Sequence, residues 1–222
     1  MNTLVFLTGT GGTGKTTAAA ALESLHGFTG FQSVTREYYH LAGLKIEQDL
    51  LKLTEVERLN FQIDLLNFSL RRMKEFIQAK EGLIVLDRSP TCYLAYLLLH
   101  GINTLTQEVF ENLIQVVRAW FLELGMHGYS PLVFYAPYPV PWREGVVDSF
   151  RHVSYGKDAT INAIIVWIMQ QMSDVVFPYS LENYDTVQER VDMITGVVAA
   201  HALSLSTNSI IPNVRPPKPN HE

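Results

Sequence analysis

A single cysteine in 222 residues rules out an intramolecular disulfide framework and suits a reducing compartment. No apolar run is long enough to cross a bilayer as a helix, and no charged leader precedes an apolar segment at the amino end. Zinc-type Cys/His spacing is missing and the seven histidines are scattered, which leaves no candidate imidazole or thiolate metal site. Cations are the minority, with 17 Lys and Arg against 22 Asp and Glu for a net charge of −5. That balance argues against a broadly basic nucleic-acid surface, though not against a local basic groove. No internal repeat is present. What remains is a chain of one-domain length with ample apolar content for a core, expected to be soluble and cytoplasmic with no membrane contact.

The most informative stretch is Gly9-Thr10-Gly11-Gly12-Thr13-Gly14-Lys15-Thr16, a complete G-x-x-x-x-G-K-[ST] phosphate loop. It follows Leu4-Val5-Phe6-Leu7, which suits a buried strand, and precedes the helix-forming Thr17-Ala18-Ala19-Ala20-Ala21-Leu22. Strand, glycine loop and helix form the context this motif requires. The glycines let backbone N–H groups turn inward around phosphate oxygens, and the helix N-terminus adds partial positive charge. The loop and the start of the helix after it are therefore the expected phosphate cradle. Lys15 is expected at the β- and γ-phosphates and the Thr16 hydroxyl at Mg²⁺.

Apolar strand candidates alternate with helical segments, the pattern of a doubly wound five-stranded parallel sheet with helices on both faces. The strands are expected at Leu4–Thr8, Phe31–Thr35, Leu83–Asp87, Leu132–Ala136 and Val175–Tyr179. The first helix is expected from Lys15 to about Leu25. A long helix over 54–80 has Thr54 as N-cap and Glu57 placed for a capping box. Its apolar face is wide: Val56, Leu59, Ile63, Leu66, Leu70, Met73 and Ile77 form one stripe, and Phe61, Leu65, Phe68 and Phe76 a second. Such a face packs on a sheet and a neighbouring helix, or forms a homodimer seam. Further helices are expected from after Pro90 to near His100-Gly101, from about Thr106 to Leu124 with a stop at Gly125, up to about Met172, and from about Thr186 to Leu203 with Asp185 as cap. The prolines and glycines of 137–157 mark a loop or lid within a domain spanning 1–203. The proline-rich 204–222 reads as an extended tail.

Two further elements carry chemistry. Gly82-Leu83-Ile84-Val85-Leu86-Asp87 is an apolar strand ending in an acid, whose carboxylate is placed to face a metal or its water; alternatively Asp87 only caps the next helix. Arg88 follows on the carboxyl edge, where ligands bind in open α/β sheets, and can grip phosphate bidentately. Strand 2 is expected to bring Arg36, Glu37, Tyr38 and Tyr39 to the same rim. There Glu37 can accept a proton or hold a sugar hydroxyl, and Tyr38 can stack on a base; the plainer alternative is a surface Arg36–Glu37 ion pair. In the lid, Arg143 and Arg151 are the candidate cations over a migrating phosphoryl group, with Lys157 third, against solvated loop charge as the alternative. Cys92, in an apolar helix, reads as a packed core thiol. His26 and His100, each before a glycine, read as helix-end residues.

Together, the phosphate loop, Asp87-Arg88-Ser89 and Asp148-x-x-Arg151 resemble small P-loop nucleoside and nucleotide kinases, the set that includes nicotinamide riboside kinases, thymidylate kinases and related bacteriophage proteins. The pattern is most similar to the nicotinamide-riboside-kinase-like set, in which an aromatic (here Tyr93 or Tyr96), a later Asp (Asp158) and a Glu-Arg pair opening the final helix (Glu189-Arg190) follow the Asp-Arg-Ser strand end. One departure is that Arg36-Glu37 is followed by Tyr38-Tyr39, where thymidylate kinases have Pro-Gly. The resemblance implies ATP on 11–17, Mg²⁺ near Thr16 and Asp87, and substrate or phosphate contacts from Arg88 and Arg151. The expected activity is transfer of the γ-phosphoryl of ATP to a nucleoside, nucleotide or related acceptor, with Lys15, Asp87, Arg88, Arg151 and Glu37 as catalytic residues. Arg36, Glu37, Tyr38, Arg88 and Arg143 are the expected acceptor contacts. Two other readings stay open: phosphorylation of a hydroxymethylated pyrimidine in phage DNA, and an ATP-binding regulator that transfers no phosphate.

Overall fold

The computed structural model describes residues 2–45, 47–101, 103–137 and 155–208. The element order is β1 (Asn2–Thr8), α1 (Lys15–His26), β2 (Thr29–Phe31), α2 (Thr35–Leu41), a 3₁₀ turn (Glu47–Lys52), α3 (Glu55–Gln78), β3 (Leu83–Asp87), α4 (Pro90–Gly101), α5 (Gln107–Met126), β4 (Tyr129–Tyr135), α6 (Tyr155–Gln171), β5 (Phe177–Ser180) and α7 (Val187–Asn208). The five strands form one parallel sheet in the order β2-β3-β1-β4-β5. Among the described residues no helix is long and apolar enough to cross a membrane.

The strand side chains alternate between two buried faces, which is why β1 reads as a continuous apolar run. Leu4 and Phe6 of β1, with Ile84 and Leu86 of β3, join a core built with α3, α4, α5 and α6. Val5 and Leu7, with Val85, Leu132 and Phe134, meet Ala18, Ala19 and Leu22 of α1 and Val191, Ile194 and Val198 of α7. The central position of β1, between β3 and β4, pairs Leu7 with Asp87 and Thr8 with Tyr135. The phosphate-loop strand and the acid-bearing strand therefore end side by side.

The long helix α3 starts as its sequence requires. The Thr54 hydroxyl accepts from the Glu57 N–H at 3.2 Å, and the Glu57 carboxylate accepts from the Thr54 N–H at 2.8 Å, a complete capping box. Its broad apolar face packs within the chain. Phe61, Leu65, Leu66, Leu70, Met73 and Ile77 are buried, and α3 lies against α4 and α2. Val56, assigned to the stripe by its spacing, is instead 58% exposed.

Several boundaries differ from the sequence expectation, among them β4, which covers Tyr129–Tyr135 and not Leu132–Ala136. β2 covers Thr29–Phe31, not Phe31–Thr35, and Thr35-Arg36-Glu37-Tyr38-Tyr39 belongs to α2. The Ser33 hydroxyl accepts from the Thr35 N–H at 3.4 Å, and Tyr38 N–H donates to Val34 O at 2.9 Å. This local bonding starts a helical turn in place of a ladder. β5 starts at Phe177, because Val175 and Val176 still donate to Met172 O at 3.0 and 3.1 Å as the chain unwinds from α6. α5 runs through Gly125 to Met126, and the left-handed residue after it is Gly128, with φ 79°. α7 is capped by Thr186, whose hydroxyl accepts from the Glu189 N–H at 3.2 Å, and not by Asp185; the helix continues past Leu203 to Asn208. The candidate cations Arg143 and Arg151, the Asp148 segment and residues 209–222 lie outside the described residues, as do the side chains of Lys157 and Asp158.

Candidate active site

The loop after β1 is shaped by two glycines that no other residue replaces freely. Gly9 has φ 136°, and a Cβ there would lie 2.3 Å from the carbonyl oxygen of Ala136. Ala136 in turn donates its N–H to Thr8 O at 2.9 Å, so β1 and the end of β4 close on the loop's first residue. Gly14 is the left-handed N-cap of α1, with φ 78°. The first turn of α1 carries no acidic residue, so its N–H groups and dipole stay available to an anion. Lys15, only 7% exposed, donates to Thr10 O and to the Thr13 hydroxyl, the latter at 3.0 Å. The Thr13 hydroxyl itself donates to Thr10 O at 3.1 Å.

The Thr16 hydroxyl donates to Oδ2 of Asp87 at 2.6 Å. The structure thus joins the two residues that the sequence placed at a metal, one from the start of α1 and one from the end of β3. A hydroxyl and a carboxylate are hard oxygen donors suited to Mg²⁺, which takes few protein ligands and completes its octahedron with water and phosphate. Among the described residues no group of three or more His, Cys, Asp or Glu is placed to hold a metal.

Arg88 is 6% exposed and is the one non-glycine residue with positive φ among the described residues, at 119°. Such a backbone costs roughly 1–3 kcal/mol and persists only where the surroundings enforce it. Its N–H turns back to Leu86 O at 3.0 Å. Its guanidinium lies 5.9 Å from the ring centre of Tyr93 and 5.6 Å from that of Tyr96, a cation–π arrangement. Burial works against its charge, but Tyr96, Tyr93, Cys92 and Asp87 outweigh that effect and hold its pKa above the ordinary value. The guanidinium is therefore a permanent cation. Ser89-Pro90 starts α4 in the expected way: the Ser89 hydroxyl accepts from the Thr91 N–H at 3.2 Å, and proline takes the first helical position.

Cys92 is fully buried, as expected for a core thiol, and it also touches the loop. Its sulfur lies 2.9 Å from the Thr8 hydroxyl and accepts from the Gly9 N–H at 3.5 Å. Thr8 reaches Thr91 at 3.1 Å, and Thr91 reaches Ser89. This buried chain of hydroxyls ties the phosphate loop to the Arg88 turn.

The rim residues of the expected second strand are placed differently. Because they ride on α2, Tyr38 packs against Phe61 and Phe68 of α3, each at 5.2 Å, and Tyr39 packs on Phe61 at 4.9 Å. Burial, then the charge of Asp64, raises the Tyr38 pKa. The ring faces expected to stack on a base instead fill the α2–α3 contact. Arg36 is exposed, and Glu37 pairs with Arg72 at 3.6 Å, both side chains more than two-fifths exposed.

Of three further buried polar groups, Gln62 was not singled out from the sequence, and Arg190 and Tyr93 entered only through the family resemblance. Arg190, 3% exposed, donates to Thr13 O and, at 2.7 Å, to Tyr184 O. Gln62 is 3% exposed on α3, and the Tyr93 hydroxyl is buried without a hydrogen-bond partner among the described residues. Arg190 and Gln62 share a legible signal: each sits on its helix's buried stripe, Arg190 between Val187 and Ile194, Gln62 beside Leu65 and Leu66. A polar residue on an apolar stripe marks a position held for its contacts.

Comparison with known proteins agrees with this architecture. The model of the AAA_28 family, described as an AAA domain, matches residues 4–178. No curated protein matches the chain. Among solved structures, deoxyadenosine kinase from M. mycoides with products dCMP and a flexible dCDP has a TM-score of 0.60 at 16% identity, covering 90% of this chain and 100% of that one. The same enzyme with bound dATP has a TM-score of 0.57 at 15% identity, with the same coverage. NadR in complex with NAD and AMP-PNP has a TM-score of 0.51 at 17% identity, with 87% of this chain matched to 48% of that chain, so the likeness spans about half of NadR. The chain belongs to the AAA_28 family of AAA domains and has the fold of the small P-loop kinases.

Proposed function

We propose that this chain is an ATP-dependent kinase that moves the γ-phosphoryl group of ATP to a hydroxyl or phosphate of a nucleoside-like acceptor. The observation that carries the reading is the 2.6 Å hydrogen bond from Thr16 to Asp87, because it puts the phosphate loop and the acid of the adjacent strand at one point, with the Arg88 cation next in sequence. Solved structures of the same fold with dCMP, dCDP, dATP or AMP-PNP bound support a nucleotide ligand.

In this reading the loop amides of 11–17 and Lys15 bind the triphosphate. Thr16 and Asp87 hold Mg²⁺, which neutralises charge on the β- and γ-phosphates when bound. Arg88 lies on the acceptor side and meets the equatorial oxygens of the migrating group, with Arg151 and Arg143 supplied from 137–157. Asp87 is engaged by Thr16, so the acceptor hydroxyl falls to Glu37, whose exposed pairing with Arg72 is weak enough to yield. A hydroxyl acceptor gives its proton to the Glu37 carboxylate, the O–Pγ bond forms, the bond from Pγ to the β-phosphate oxygen breaks, and ADP leaves.

The test is ADP formation against a panel of nucleosides, nucleoside monophosphates, nicotinamide riboside and DNA carrying hydroxymethylated pyrimidines. Turnover with a free nucleoside or nucleotide is expected. Turnover only with the polymer, suppressed by salt as phosphate contacts release counterions, would reassign the acceptor to DNA. Nucleotide binding without a phosphorylated product from any acceptor would overturn the kinase reading in favour of a regulator.

A further inference from the structure

Arg190 is a charged group where its helix otherwise buries apolar side chains. Val187, Val191, Ile194 and Val198 pack against the sheet on the same face of α7, yet the guanidinium between them is 3% exposed. Burial lowers its pKa, opposed by the charge of Asp185. An apolar side chain would occupy the position without that desolvation cost. Among its contacts, the guanidinium donates to two main-chain carbonyls, Thr13 O in the phosphate loop and Tyr184 O in the segment between β5 and α7, the latter at 2.7 Å.

The first of these bonds fixes a peptide plane. In a trans peptide the C=O and the following N–H point in opposite directions. Holding the Thr13 carbonyl toward α7 therefore turns the Gly14 N–H away from α7. Gly14 adopts φ 78°, a conformation open to glycine at little cost. Thr13 is also the residue whose hydroxyl receives the Lys15 ammonium at 3.0 Å. Arg190, Thr13 and Lys15 thus form one continuous chain from the last helix to the loop's cation, reinforced by the packing of α7 on α1.

We propose that Arg190 is a positioning residue for the triphosphate: from α7 it locks the Thr13–Gly14 peptide in the orientation that presents the Gly14 N–H to phosphate. This rests on the ATP-binding reading above. Arg190→Leu is expected to keep the fold, because an apolar side chain suits the stripe, and to weaken MgATP and MgADP binding about 10–100-fold, the range for a charge-assisted hydrogen bond. Adenosine, which has no phosphate, should bind Arg190→Leu as it binds the parent. Arg190→Lys, able to hold one carbonyl but not the pair, should fall between. Added guanidinium should restore MgATP affinity to Arg190→Ala.

Calorimetric titration of the parent and these variants separates the outcomes. A parent chain that binds no MgATP sinks the nucleotide reading itself. A parent that binds, with Arg190→Leu binding MgATP within twofold of it, overturns the role given to Arg190 and leaves the kinase reading standing. Equal losses for MgATP and adenosine would show a general structural effect and overturn it too. If Arg190→Leu fails to fold, guanidinium rescue of Arg190→Ala decides: recovery supports the role, and no recovery overturns it.

Discussion

Replacing Gly9 with alanine tests how tightly the phosphate loop is fitted into the sheet. Two penalties are expected. The backbone sits at φ 136°, where a Cβ costs about 1–2 kcal/mol. The new methyl would also lie 2.3 Å from Ala136 O and 3.2 Å from Ala136 C. These are main-chain atoms held by the Ala136 N–H to Thr8 O bond at 2.9 Å, so they yield only by moving the end of β4. Overpacking of this kind costs about 1–3 kcal/mol. Gly27→Ala is the control: its φ is 69° but nothing lies within 4 Å of an added Cβ, so only the backbone penalty applies. The collision alone should therefore separate the two variants by roughly 2–12 °C in melting temperature, at about 2–4 °C per kcal/mol for a domain of this size. Differential scanning calorimetry of both variants is the assay. Equal melting temperatures, or a less stable Gly27→Ala, would refute the close approach of Gly9 to β4.

Two other expectations follow from local geometry. Thr54→Ala removes the α3 cap and should cost about 1 kcal/mol near neutral pH; the Thr54 N–H and hydroxyl hold the Glu57 carboxyl below its ordinary 4.5, so the part supplied by the hydroxyl-to-carboxylate bond is present above that value and lost as pH falls through the lower folded value. A gap between parent and Thr54→Ala that widens on acidification, read from denaturant midpoints, would contradict this. Arg88→Gly should be more stable than Arg88→Ala by about 1–2 kcal/mol, since only glycine accepts φ 119° without a Cβ penalty, while both variants lose turnover; an Arg88→Ala that is the more stable by urea denaturation would remove the strain from the account.

The parts of the fold that the sequence made legible are those where local chemistry and tertiary packing agree. β1 and the loop between β1 and α1 were readable because an apolar run, glycines and a helix former coincide within the first 22 residues, and β3 because the apolar run Leu83–Leu86 ends in an acid. Thr16 and Asp87 were readable as a pair because the motif demands an acid on the neighbouring strand, and they meet at 2.6 Å. The β2–α2 stretch misled because Val34, Tyr38 and Tyr39 suit a strand as well as a helix; α3, which offers Phe61 and Phe68 as partners, decides between them. Gly125 looked like a helix end, but the positive φ falls at Gly128. Arg190 was legible only as part of the pair opening the last helix; its reach to the phosphate loop, a backbone carbonyl 177 positions away, has no side-chain signature.

The central claim is that the loop and its lysine hold a triphosphate whose outer phosphoryl group migrates. It is tested most directly by the turnover of Lys15→Ala with ATP and the acceptor that the panel selects. Loss of a preorganised cation at the migrating group should lower kcat/KM by about a thousandfold or more, roughly 4 kcal/mol, with an unchanged circular dichroism spectrum. Turnover within a few-fold of the parent would contradict the account.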